Sequence, residues 1–335
     1  MKKSAVLLLF LLILSPAEEV NSQVALNKVA QSTMNFLLVS TSPRAAALGD
    51  AYTSHVNGVD GMWYNPAGLA GMTTEFGASV HYTGWIADIN YLSGGAAWNL
   101  GNYGVLGVNL LTVDYGTIIG TSLLTAAESN LYPLGYKDNG NLSNIGAYAI
   151  GISYAKEISK EFSAGGTVKY AGQSLGSSLV EAGMKDNDAA KLVFDLGVRY
   201  KTSFKGFSFG MSIRNFASNI KREEIDEQLP LIFALGGSIN LMEFIDEKSS
   251  DLLFLTTDFL HQNNYSERVN AGVEYLFKEM FALRAGYQSN RDLASWSGGA
   301  GFRYQLYDYD VEVDYSYSRF EVFNSVNRLS LAFYF

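Results

Sequence analysis

Strict alternation, repeated in segment after segment, constrains this chain more than any single motif does. Leu192, Phe194, Leu196, Val198 and Tyr200 share one parity, and Lys191, Asp195 and Arg199 share the other. Val269, Ala271, Val273, Tyr275 and Phe277 oppose Arg268, Asn270 and Glu274; Val311, Val313, Tyr315 and Tyr317 oppose Asp310, Glu312 and Asp314. A period of two marks a strand with two unlike faces. Segments of roughly 9–11 residues, apolar on one face and charged on the other, suit a transmembrane β-barrel, although a soluble sandwich shares the period. Fourteen such strands are predicted, at about 74–84, 87–99, 102–115, 143–156, 161–173, 189–202, 206–216, 230–242, 250–261, 265–278, 280–290, 294–305, 307–319 and 326–335.

The connections separate barrel from sandwich. Long ones (116–142, 174–188, 217–229) alternate with short ones (Gly101, 157–160, 203–205, Glu279, Leu306), as two unlike rims require. Only 243–249 departs from the rhythm. The sequence ends NRLSLAFYF, with Leu329, Leu331, Phe333 and Phe335 on one parity, so the last strand is expected to close on the first and leave no edge. Trp85, Trp98, Trp296, Tyr304 and Tyr307, near strand ends, are expected in aromatic girdles.

Export is expected as well. Lys2 and Lys3, the apolar run Ala5–Leu14, and Ser15 and Ala17 form a secretory signal over residues 1–17. That run is short of the roughly 20 residues that span a bilayer, and no later segment reaches that length. Residues 18–72 are read as an N-terminal extension and lumen plug, with Glu18–Gln31 loose or near the periplasmic mouth, and 73–335 as the barrel. The expected location is the outer membrane of a Gram-negative cell, in contact with its lipid. The formal charge is −9, and two units lower without the signal's lysines, so nucleic acid is not an expected partner. With no Cys there is neither a disulfide nor a thiolate metal site.

A search for chemistry finds no catalytic template. His55, His81 and His261 are isolated, and neither a G-x-S-x-G elbow nor a P-loop is present, so no enzyme, metal or cofactor is expected. The densest acidic feature is Asp308, Asp310, Glu312 and Asp314. It is read as a lumen charge ladder paired with Arg303 and Arg328 rather than as a cation site, because buried charges are normally paired. Asp195, Arg199, Arg214, Asp258, Glu274 and Arg284 extend the same polar interior. In the 116–142 loop, Ile118, Ile119, Leu123, Leu124 and Leu131 either form an outer groove for an acyl chain or partner protein, or fold over the mouth onto the plug.

The segment Phe36–Ala70 is apolar yet broken by Pro43, Gly49, Gly58, Gly61, Pro66 and Gly68, which suits a plug that turns repeatedly inside a polar lumen. Arg44 and Asp50 or Asp60 are expected to meet wall charges, and Trp63 and Leu69 to pack together. The run FLLVSTSPRAAALGDAYTS, followed by WYNPAGLA, resembles the PorV/PorQ family of outer-membrane proteins, within the wider FadL-like barrels. Arg44, Gly49 and Ala51 match its R-A-x-x-x-G-x-A segment, with Leu48 where Met is usual; Asn65, Pro66, Ala67 and Leu69 match its N-P-A-x-L. The resemblance implies a plugged fourteen-stranded barrel that works in type IX secretion, holding client proteins or secretion subunits at its extracellular loops. The FadL-like alternative is a hatch-gated channel for hydrophobic small molecules.

Overall fold

The computed structural model describes residues 32–125, 128–142, 144–180, 183–222, 225–291, 295–320, 322–323 and 325–335. The signal at 1–17 and the extension at 18–31 lie outside the described residues.

Fourteen antiparallel strands close into one barrel. They are β1 (Phe76–Gly84), β2 (Asn90–Asn99), β3 (Val105–Asp114), β4 (Ile145–Glu157), β5 (Phe162–Val180), β6 (Gly183–Lys201), β7 (Ser208–Phe216), β8 (Ile232–Asn240), β9 (Leu252–Gln262), β10 (Arg268–Phe277), β11 (Phe281–Gln288), β12 (Trp296–Leu306), β13 (Tyr309–Ser318) and β14 (Val326–Tyr334). Each pairs with its neighbour in sequence, and β14 pairs with β1 from Gly77↔Tyr334 to Gly84↔Asn327, so no ladder is left open. The alternation sets the orientation. Leu192, Phe194, Leu196 and Tyr200 face outward and are exposed, whereas Asp195 and Arg199 face inward and are buried. An apolar outer wall on a closed barrel places the protein in the outer membrane.

Several strand ends and loops differ from the sequence reading. β5 and β6 run on through most of 174–188, where a loop is expected, and stay paired to Val180↔Gly183. Above the bilayer no lipid enforces an apolar face, so Ser177, Lys185 and Asp186 continue the ladder without the alternation that reveals a strand. The 116–142 loop contains a small hairpin, Ile119–Leu123 with Tyr136–Asn141, and the 217–229 loop another, Ile220–Arg222 with Ile225–Glu227. The irregular 243–249 connection is a short helical turn, Met242–Ile245, packed by Phe244 on Phe204 at the short-turn rim. Asp308 lies in the turn before β13 and is exposed, so it is not part of the ladder. Trp85 is no girdle residue; it turns inward onto Tyr91 and Phe320.

The lumen is filled by residues 32–75. Ser32 bridges Gln228 and accepts a hydrogen bond from the Nδ2 of Asn264, so the described chain starts at the long-loop rim. It crosses the barrel to the opposite rim, where Phe76 begins β1. The core therefore lies between plug and wall. Met34 and Phe36 pack with Tyr91, Leu111 and Val113 near the loops; Val59, Met62 and Leu69 pack with Ala97, Val105 and Ala155 near the turns.

Candidate functional site

Local sequence explains how the plug turns. Ser42 caps the helix Pro43–Ala47, with Pro43 at the first position, where its missing N–H costs nothing. Gly49 and Asp50 then adopt left-handed φ values of 63° and 60° and reverse the chain. Asn65 caps the turn Pro66–Gly71 by accepting from the Ala67 N–H at 3.2 Å. Its amide also donates to the Thr53 carbonyl at 2.8 Å and to the Val198 carbonyl on β6 at 3.1 Å. One fully buried side chain thus closes a plug turn, joins two plug segments and ties both to the wall.

The wall yields to the plug at inward-facing glycines. A side chain at Gly197 would put its Cβ 1.9 Å from Asn65 Oδ1, and one at Gly286 would stand 2.0 Å from the Gly49 nitrogen. These positions carry no alternation signal, and the inward parity of Gly197, two residues from both Asp195 and Arg199, is the cue that was there to read. Gly286→Leu is expected to push the plug from its seat at a cost of about 1–3 kcal/mol. Faster proteolysis within residues 40–60 of the folded variant is the measurement that checks it.

A buried ionic cluster forms the strongest tie. Arg44 donates to both oxygens of Glu274 on β10, from Nε at 2.9 Å and Nη2 at 2.7 Å. His55 Nε2 stands 3.0 Å from Glu274 Oε1. Burial holds the His55 pKa below its ordinary value, against the partial offset of Glu274, so the neutral ring donates there. Arg284 on β11 bonds Glu274 on one side and Asp314 on β13 on the other, each at 2.5 Å. Further ties run along the plug. Asp258 accepts from the Tyr52 and Thr53 N–H groups at 3.1 and 2.9 Å. Arg199 donates to the Val56 carbonyl at 2.5 Å. Asp60 accepts from Ser42 at 2.6 Å and meets His81 of β1 at 3.2 Å. Burial alone would raise the Asp60 pKa, but His81 and Ser42 outweigh it and hold the carboxyl below its ordinary value. Asp50 accepts from Gln288 at 2.6 Å.

The ladder is differently partnered from the sequence expectation. Arg303 pairs with Glu312, but Asp314 takes Arg284 rather than Arg328, and Asp310 stands beside Gln305. Arg328 instead donates to the Ser40 carbonyl and the Ser318 hydroxyl. Trp63 and Leu69 fall in different apolar clusters, because the turn at Asn65–Pro66 sends them to opposite sides of the plug. Ile118, Ile119, Leu123 and Leu131 are exposed, Leu123 at 93 %, and Leu124 is half-buried; none of the five lines the mouth cavity.

One irregularity in the wall has a visible cause. β6 and β7 slip register between Phe194 and Leu196, and Asn215 takes a left-handed φ of 62°. Arg214 and Asn215 both turn inward as a result. Asp195 and Lys169 bond Asn215 at 2.7 and 2.8 Å, while Arg214 donates to the Trp63 carbonyl.

Above the plug the lumen opens into a cavity of about 730 Å³ at the long-loop rim, with Met34, Phe36, Trp85, Tyr91, Trp296 and Phe320 among its walls. A second space of about 70 Å³ lies deeper and shares Leu38, Asp50 and Arg291 with it. Among the described residues no cluster of His, Asp and Glu is arranged to hold a metal ion.

No protein-family model matches the chain, and no curated protein matches it in sequence. Solved structures do share its fold. The monoaromatic hydrocarbon channel CymD is 14% identical with a TM-score of 0.57, over 88% of this chain and 97% of the channel. The Ralstonia pickettii toluene transporter TbuX gives 14% and 0.57, over 89% and 98%. A Pseudomonas aeruginosa FadL homologue gives 12% and 0.53, over 88% and 98%. The fold is that of FadL-like outer-membrane barrels; the PorV/PorQ resemblance finds no counterpart among these matches.

Proposed function

We propose that the protein is a non-catalytic channel that takes hydrophobic small molecules into its outer mouth, with the N-terminal plug closing the lumen beneath them. The observation that carries this reading is the cavity at the long-loop rim, floored by the plug, where aromatic and aliphatic side chains stand among polar ones. Ligand sites are typically concave, and this one sets Phe36, Trp85, Tyr91 and Phe320 beside polar and charged groups. The hydrocarbon channels that share the fold support the same class of solute. The hatch-gated alternative from the sequence thus becomes the leading reading.

Uptake tests it. Cells that make the protein are expected to accumulate a labelled monoaromatic hydrocarbon several-fold faster than cells lacking it, while a small sugar enters at equal rates. Equal hydrocarbon rates would sink the proposal.

The secretion reading keeps one specific observation, the exposed Leu123 and Leu131 on the outer loop, which suit a protein partner. The same deletion strain separates the two: a channel leaves the secreted and surface proteins unchanged, and a type IX component does not.

A further inference from the structure

The mouth cavity is basic in an otherwise acidic protein. The chain carries −9 overall, yet Arg268, Arg291 and Arg328 line the cavity against Asp50 and Glu227. Arg328 is only 4 % exposed, and its donors reach neutral oxygens, the Ser40 carbonyl at 2.8 Å and the Ser318 hydroxyl at 3.2 Å. The Nε of Arg291 is buried without an acceptor. Among the described residues no carboxylate is ion-paired with either guanidinium. Arg291 and Asp50 also line the deeper space, which puts this charge at the neck between the two cavities. Asp50 is the acidic group whose charge reaches Arg328, and it does so without touching it, so the neck sets two guanidiniums against one carboxylate and favours an anion arriving from outside.

The surrounding walls are aromatic. Trp85 meets Tyr91 and Phe320 edge to face, with centroids 6.3 and 5.3 Å away, and the Arg328 guanidinium lies 5.6 Å from the Trp85 ring centre. Tyr115 completes the ring-lined face. Flat rings pack well on such walls, and a guanidinium binds a carboxylate through two parallel N–H donors. Asp50 limits the choice further. Gln288 occupies one of its oxygens and the other is buried and unpartnered, so a doubly charged phosphate is disfavoured beside it.

We infer that the mouth cavity is a binding site for aromatic carboxylates, with the ring among Trp85, Tyr91 and Phe320 and the carboxylate on Arg291 and Arg328. This rests on the channel reading and narrows it from hydrophobic molecules in general to aromatic acids.

The test uses the full-length barrel in detergent, with Trp fluorescence as readout and benzoate, benzamide and toluene as probes. Benzoate is expected to bind about tenfold or more tightly than benzamide, the margin that hydrogen bonds to a charged group supply. Added salt is expected to narrow that margin. In R291Q the preference falls to near parity because benzoate binding weakens far more than benzamide binding; R291K, which keeps the charge but loses the fork, is intermediate. R328Q is expected to act in the same direction, and R291Q decides the matter if R328Q does not fold. Equal binding of benzoate and benzamide by the unaltered protein, or an undiminished preference in R291Q, overturns the inference and leaves the channel reading standing. Failure of all three probes to bind overturns both.

Discussion

Replacing Glu274 by alanine is expected to release the plug and open the lumen to ions. Glu274 is the only carboxylate that Arg44 and His55 reach among the described residues, and it shares Arg284 with Asp314. Its loss strands the Arg44 guanidinium in a buried site, and removing one partner of a buried pair costs about 3–5 kcal/mol. Arg284 retains Asp314, so the barrel wall should survive while the plug's hold weakens. In planar bilayers the unaltered protein is expected to be nearly silent and the E274A variant to show steady current. E274Q, which keeps the volume and one acceptor oxygen, falls between them. An E274A barrel as silent as its parent would mean that the remaining ties hold the plug unaided.

The second large effect comes from fixing the plug in place. A Cβ at Gly236 on β8 would lie 3.1 Å from the Cβ of Thr53, somewhat under the separation of about 3.8 Å that a disulfide prefers. The chain has no other Cys, so T53C with G236C gives one possible pair. If solute passes by movement of the plug, the oxidised variant loses hydrocarbon uptake and regains on reduction the level of the G236C single variant, in which the new Cβ stands 2.3 Å from Asp258 Oδ1 and moves that carboxylate aside. Uptake that is indifferent to the disulfide would make the plug a fixed floor and send the solute by another route. Ion leakage in E274A and solute uptake in the locked pair therefore report separately on how firmly the plug is held and on whether transport needs it to move.

Much of this architecture is visible in the sequence because a bilayer forces it to be. Outside the barrel only apolar side chains are stable, so Leu192–Tyr200 and Val269–Phe277 show their strands directly. The signal ends where the lipid ends. The outer halves of β5 and β6 stand in water, and their Ser, Lys and Asp residues carry no facing information. Parity tells which side chains enter the lumen but not which strand lies opposite. The parity of Arg303 and Arg328 therefore offers both as partners for the ladder of Asp310, Glu312 and Asp314, whereas Asp314 is reached by Arg284 on the other side of β12. The bulge at Asp195 adds a local error of its own, since two consecutive residues, Arg214 and Asn215, face inward. Trp85 misleads for a different reason. A Trp near a strand end suits an interface belt, and nothing in its neighbours shows that Phe320, over two hundred residues away, draws it into the mouth.

The position of Ser32 at the outer rim bears on how the molecule is made. The chain runs from that rim through the lumen before its first strand begins, and the seam between β1 and β14 is the last contact available to close the ring. If the ring closed first, a segment bearing Arg44, Asp50 and Asp60 would have to thread lengthwise through a passage already crowded with charge. Wrapping avoids that crossing: the strands gather around the segment, and each inward glycine meets plug backbone as its strand arrives. The plug then serves as a template for its own enclosure. On this view substitutions at Asn65 or Gly286 slow biogenesis as well as loosening the finished protein, and they do so before any solute is encountered.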